Sequence, residues 1–167
     1  MGLFSRFKRT VKSNLNDLIS KAENPEKMLD QLLLEMNEQL IESKKTVAAS
    51  IADEKRLERV IVQNRGEAAD WERKAVLAVK SGNDALAKEA LLRKQEYDNA
   101  AQQYQTQWEA QHSTVEGLKG SLRQLQQKIE EAARKRNLLV ARVKRAEAQK
   151  RIQQTMSGLS DNSAFEV

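Results

Sequence analysis

The residues best placed to do chemistry lie in the first 22 positions, and the chemistry they suit is partition into lipid, not bond making. On a helix turning about 100° per residue, Phe4, Phe7, Val11, Leu15, Leu18 and Ala22 fall along one stripe, with Leu3 and Ile19 at its edges. Arg6 and Arg9 point away from that stripe, Lys8 and Lys12 flank it, and Asp17 is the one acidic residue up to position 22. An apolar stripe bordered by cations lets a helix lie flat in the interface of an anionic bilayer. Full burial of one large apolar side chain is worth roughly 1.5–3 kcal/mol, of which interfacial insertion delivers a part. Each cation near an anionic surface adds about 1 kcal/mol. Ordering a short helix opposes both. The expected membrane-binding set is therefore Leu3, Phe4, Phe7, Val11, Leu15 and Leu18 with Arg6, Lys8, Arg9 and Lys12, folding as it binds. The competing reading is an ordinary helix packed on the rest of the chain.

Other chemistries find no foothold. The sequence has one histidine, His112, and no cysteine, so nucleophilic triads and thiolate metal sites lack their parts. The acidic residues sit at helical surface spacing without a calcium-loop pattern, and no Gly-rich phosphate loop is present. The reading is a non-enzyme with no cofactor and no metal. His112 is read as a solvated side chain. Trp71, Tyr97, Tyr104 and Trp108 fall at seam spacing and are read as packing residues.

The elements that must position the first stripe are long helices. Nearly a third of the 167 residues are charged, aromatics make up 4% and there is one proline. Such a mix at helical spacing indicates coiled coil rather than a compact globule. The formal charge of +5 and a pI near 9.5 favour anionic partners. No apolar run approaches the ~18–20 residues that span a bilayer. The start Met1-Gly2-Leu3-Phe4-Ser5-Arg6 fails as a myristoylation site because Arg6 stands where Ser or Thr is needed.

The fold class expected is all-α: an N-terminal amphipathic helix over 1–22, then a long antiparallel coiled-coil helical hairpin over 25–156 with its turn near 80–84. Asn24 is a good N-cap and Pro25 a good first helical residue. From there a heptad runs through Leu33, Leu40, Val47, Glu54, Ile61, Ala68 and Ala75, with a second seam through Leu29, Met36, Ser43, Ser50, Leu57, Asn64 and Trp71. A helix of about 55 residues is roughly 80 Å long at ~1.5 Å per residue, and so polar a helix needs a partner. Gly82 suits the left-handed position that ends a helix, and Asn83 or Asp84 can cap the next. Folding back about Gly82 brings Leu40 to Leu125, Val47 to Leu118, Ile61 to Tyr104 and Glu54 to Gln111, so the polar exceptions of the two main seams coincide. Leu33, Leu40, Val47, Ile61, Tyr104, Leu118 and Leu125 are the expected hairpin-packing residues. Gly117 and Gly120 are expected to weaken or bend the second helix.

The far end of that helix is basic, with Arg134, Lys135, Arg136, Arg142, Lys144, Arg145, Lys150 and Arg151 against Glu147. One reading is charge matching with Glu26, Asp30, Glu35, Glu38 and Glu42 at the start of the first long helix. The other is a second lipid-facing or inter-subunit patch. Nucleic acid is not the expected partner, because the basic end lacks interleaved aromatics and follows a hairpin. Ser157-Gly158 is expected to end the helix. The remainder of 157–167 reads as a linker and, at Ser163-Ala164-Phe165-Glu166, the capping box of a further helix. A chain that opens a helix and then stops reads as C-terminally truncated.

These residues resemble the phage-shock-protein A family, which includes the vesicle-inducing protein of plastids. The resemblance runs along the whole chain. It is most specific at Gly2-Leu3-Phe4-Ser5-Arg6, Ala22-Glu23-Asn24-Pro25-Glu26-Lys27 and Trp71-Glu72-Arg73-Lys74-Ala75, with Leu86-Ala87-Lys88-Glu89-Ala90-Leu91 and Ser163-Ala164-Phe165-Glu166 adding to it. The second long helix and its basic end look closer to the vesicle-inducing branch. The resemblance implies an ESCRT-III-like fold, homo-oligomeric rods or rings, and binding of anionic lipid through the first helix. It also implies peripheral attachment at the cytoplasmic face of the inner membrane, or on the stromal side of thylakoids, and a role in membrane remodelling and stress protection. Some members restrain a transcriptional activator through the hairpin, which makes a regulatory adaptor the alternative. Asn24 stands where the family usually has Asp, a change that caps equally well. The helices that the family carries after the position of Phe165 are absent, which puts full assembly of this chain in question.

Overall fold

The computed structural model describes residues 14–163, with side chains up to residue 159. Among the described residues three helices follow one another: α1, Leu15–Lys21; α2, Pro25–Lys80; and α3, Asp84–Ser163. There is no strand among the described residues.

Capping chemistry sets the boundaries. Asn14 is extended (φ −79°, ψ 107°) and its side chain accepts a hydrogen bond from the Asn16 backbone N–H, the role of an N-cap. A helix therefore starts at Leu15 and does not run through position 14, so a single uninterrupted helix over 1–22 does not describe this segment. It ends at Ala22, which returns to extended backbone. Two residues later Asn24 caps α2, its Oδ1 accepting from the Lys27 N–H at 3.1 Å, with Pro25 at the first helical position.

The turn between the long helices is a Schellman arrangement. The Asn83 N–H donates to the Ala78 carbonyl and the Gly82 N–H to the Val79 carbonyl. Gly82 has φ +76°, which an L side chain adopts only with strain. Asn83 then caps α3 through Oδ1, which accepts from the Leu86 N–H at 3.1 Å.

The chain divides into two compact units. The turn unit, Glu42–Leu122, is the closed end of the hairpin. Its buried seam is Val47, Glu54, Ile61, Ala68, Ala75 and Ala78 on α2, facing Ala87, Ala90, Ala101 and Val115 on α3. Six of these ten are alanines, which let helix backbones approach closely but bury little area each. Tyr104 and Leu118 are half-buried.

The terminal unit combines the start of α2, the last part of α3 and α1. Leu15, Met36, Leu125 and Ala132 form its core, with Leu32, Leu33, Leu40 and Ile129 packed against them, and Leu29 is fully buried. This core is built of larger side chains than that of the turn unit. Leu40 and Leu125, expected opposite each other, share this cluster.

α3 differs from expectation at its end. It continues through Ser157 and Gly158 to Ser163, where a stop and a linker were expected. A glycine inside a helix costs about 1 kcal/mol against alanine but does not terminate it, and the Ser157 hydroxyl bonds back to the Gln153 carbonyl. The helix also runs through Gly117 and Gly120 without interruption. The segment 164–167, which holds most of the expected capping box, lies outside the described residues.

Candidate functional site

Two places bring polar or apolar side chains into arrangements beyond simple packing, one in each unit.

In the turn unit a polar cluster crosses the seam. Glu54 is the buried charged residue of the core, and its Oε1 lies 2.7 Å from Nδ1 of His112, which is itself half exposed. The His112 ring stacks on Trp108 one turn earlier, with centroids 4.8 Å apart and planes 11° from parallel. The Trp108 indole N–H reaches Oε1 of Glu58 at 3.3 Å, and Lys55 pairs with the other oxygen of Glu58. The Lys55 ammonium, helped by the indole, holds the Glu58 carboxyl below its ordinary range. Gln111 Nε2 donates to the Ser50 carbonyl at 3.1 Å. The seam pattern makes His112 a solvated side chain and Gln111 the partner of Glu54. The partner is His112, one residue further along α3, while Gln111 satisfies backbone. The coincidence of polar exceptions located the site but not the atom that fills it. The cluster is a polar cross-link between the helices: the imidazole meets the buried Glu54 carboxylate and stacks on the indole, whose N–H is satisfied by Glu58.

In the terminal unit α1 docks against the hairpin. Leu15, expected on the lipid-facing stripe, is 2% exposed in the core. The reason is local. With Asn14 as cap, Leu15 is the first helical residue and meets Met36, Leu125 and Ala132. Leu18, one turn on, is exposed. Lys135 holds α1 from outside, its Nζ donating to Asn16 Oδ1 at 2.7 Å. Arg136 pairs with Asp30 at 2.7 Å, which raises the guanidinium pKa further. Lys128 and Lys135 both bond to Glu131 and hold its carboxyl below the ordinary range. So part of the basic end of α3 is matched inside the protein, as one of the two readings required. Beside α1 lies an open recess of about 260 Å³ lined by Asn16, Ile19, Lys135, Leu138, Leu139 and Arg142.

Leu3, Phe4, Arg6, Phe7, Lys8, Arg9, Val11 and Lys12 of the expected membrane-binding set lie outside the described residues. Among the described residues no group of three or more His, Cys, Asp or Glu could hold a metal ion, and no helix is long and apolar enough to cross a membrane.

A capped helix docked on a long α-helical hairpin with a heptad seam defines an all-α coiled-coil protein. The PspA/IM30 family pattern matches residues 2–167, and the chain belongs to that family. It is 47% identical over 164 residues to the membrane-associated protein Vipp1 of Synechocystis, a match covering 98% of this chain and 61% of that protein. It is 44% identical over 165 residues to Vipp1 of Nostoc punctiforme, covering 99% of this chain and 64% of the relative. A phage shock protein A homologue of Deinococcus radiodurans is 41% identical over 148 residues, covering 89% of this chain and 66% of the relative. The chain thus spans a little under two thirds of the length of these relatives.

Proposed function

We propose that this chain is a peripheral membrane protein that binds anionic lipid through its N-terminal segment and acts as a self-assembled array. The observation that carries the reading is the sequence up to residue 13. It holds Leu3, Phe4, Phe7 and Val11 at helical spacing with Arg6, Lys8, Arg9 and Lys12, and no acidic residue. Relatives named as membrane-associated support it. The docked position of Leu15 refines it. Leu15 anchors α1 to the hairpin, and the lipid-contacting set is Leu3, Phe4, Phe7, Val11 and Leu18 with the four cations.

One apolar stripe this short binds weakly. Many copies on one assembly bind together, because each engagement after the first is intramolecular. Rods or rings of the hairpin therefore suit remodelling and protection of a membrane from the side on which the protein is made. That side is the cytoplasmic face of an inner membrane, or the stromal face in a photosynthetic source. Negative-stain microscopy of the purified chain with and without anionic vesicles tests the reading. Ordered rods or rings and decorated or tubulated vesicles agree with it. Dispersed particles beside bare vesicles contradict it.

A second reading has an observation of its own. In the turn unit Val76, Leu77, Val79, Leu86, Leu91 and Leu92 are large apolar side chains left exposed near the turn. Such a surface suits a protein partner, and a regulatory adaptor that restrains a transcriptional activator would use it. Copurification of an activator ATPase with the wild-type chain, lost on Leu77→Glu plus Leu92→Glu, separates this reading from lipid binding.

A further inference from the structure

The end of α3 outruns its partner. Asp30 of α2 pairs with Arg136 of α3, so in this antiparallel register Pro25, the first residue of α2, stands opposite Ala141. Beyond that point α3 continues as helix, and every residue from 141 to 159 is exposed. A helix of this length with no partner among the described residues is marginal in water, so its helical form calls for a surface to lie on.

Its side chains describe that surface. At about 100° per residue, Leu138, Ala141, Ala148, Ile152, Met156 and Leu159 share one face. Leu138, Ile152, Met156 and Leu159 are each 60% exposed or more. Arg142 and Lys144 border that face on opposite sides, and Arg145 lies on it with a stem long enough to carry its charge to the edge. From 141 to 159 the cations are Arg142, Lys144, Arg145, Lys150 and Arg151 and the one acid is Glu147. None of the five cations is ion-paired with an acidic side chain among the described residues. The recess beside α1 shares Leu138 and Arg142 with this face and lies on its flank, where Ile19, Leu139 and Lys135 also line it.

We infer that residues 138–159 of α3 form a second interfacial contact with anionic phospholipid, the apolar face entering the acyl boundary while Arg142 and Lys144 hold phosphate groups on either side. The inference rests on the proposed membrane role and adds a site to it. Charge chooses this occupant over the others. A second copy placed on the same face would bring five cations against five. The chain's own first 13 residues carry four cations and no acid, so their charge does not complement this face. A nucleic acid would match the charge but leave Ile152, Met156 and Leu159 without apolar contact, whereas a bilayer interface takes both.

The chain has no cysteine, so single reporters are simple to place. Ser5→Cys reports on the N-terminal segment and Gln149→Cys on the edge of the α3 face, each carrying an environment-sensitive fluorophore in the otherwise unaltered full chain. With vesicles rich in phosphatidylglycerol, both labels shift to the blue. With phosphatidylcholine vesicles, the label at 149 does not. Arg142→Ala combined with Lys144→Ala, which leaves helicity unchanged by circular dichroism, weakens the response at 149 by roughly thirtyfold in lipid concentration. A shift at position 5 with aqueous emission at 149 overturns the second contact and leaves the N-terminal reading standing. No shift at either position overturns both. A shift at 149 that follows protein concentration without lipid assigns the face to a second copy. A shift with duplex DNA but not with vesicles assigns it to nucleic acid. Either of these last two results also overturns the inference.

Discussion

Glu54 and His112 meet across the hairpin with Oε1 and Nδ1 2.7 Å apart, and the two residues are unequally buried: the carboxylate is 9% exposed, the imidazole 46%. That inequality predicts unequal consequences. His112→Ala leaves a buried carboxylate without its partner and should destabilise the hairpin by about 1–3 kcal/mol. Glu54→Leu returns the imidazole to water and places an apolar residue in the seam, so it should change stability by less than about 1 kcal/mol in either direction. Urea unfolding of the two variants followed by circular dichroism checks this. Equal losses would show that the pair is not asymmetric in energy.

The turn predicts a second result. Gly82 sits at φ +76° with open space where a Cβ would go, so Gly82→Ala adds backbone strain and no clash. The expected cost is about 1–2 kcal/mol, seen as a lowered thermal midpoint. Deleting Gly82 is worse, because it removes the Schellman closure and shifts every cross-helix pair by a residue. Wild-type thermal stability in the deletion variant would contradict the register.

This register was largely legible before the structure, and the reasons are particular. Leu40 and Leu125 lie on seams whose four-three spacing fixes which faces meet, and Gly82-Asn83 has turn and cap chemistry that few other dipeptides share. What the sequence concealed was finer than one helical step. Gln111 and His112 are neighbours, about 100° apart on the helix, and a seam pattern cannot say which of them reaches Glu54. A look for any titratable residue near the mirror position of Glu54 would have found His112. Leu15 was concealed for another reason. Its place on a stripe with Leu18 follows from spacing alone, whereas the Asn14 cap makes Leu15 the first residue of α1, where it turns into the core. The stop expected at Ser157-Gly158 gave glycine more weight than its cost of about 1 kcal/mol supports.

Leu15 supplies the third prediction. α1 has seven residues, too few to be helical alone in water, so its order depends on the one side chain it buries. Leu15→Ala should cost about 2–5 kcal/mol of docking energy. The loss falls on residues 15–21, which should exchange their amide hydrogens faster while the α2–α3 hairpin keeps its protection. Lipid binding should survive, since Leu15 is not among the contacting residues. Loss of protection throughout the hairpin would contradict this division of roles.

Acid should loosen the terminal unit. The Glu131 carboxyl is held low by Lys135 and Lys128, so its folded pKa lies below its unfolded value. Its contribution is therefore fully present above the ordinary carboxylate range and is lost as pH falls through the folded pKa. Because Glu131 is partly exposed, the effect is modest and screened by salt. Urea titrations from neutral to acid pH should show a steeper loss for the wild type than for Glu131→Gln, with the difference shrinking in high salt. Identical pH profiles would remove Glu131 from the account.

The central claim is that this family member meets anionic lipid through its N-terminal segment, and co-sedimentation of the purified chain with vesicles tests it most directly. The wild type should pellet with anionic vesicles and stay in solution with neutral ones, and high salt should reduce the bound fraction. Phe4→Glu and Phe7→Glu should each abolish pelleting while leaving helicity intact, and Arg9→Ala should weaken it mainly at low salt. Undiminished sedimentation of Phe4→Glu with anionic vesicles would contradict the account.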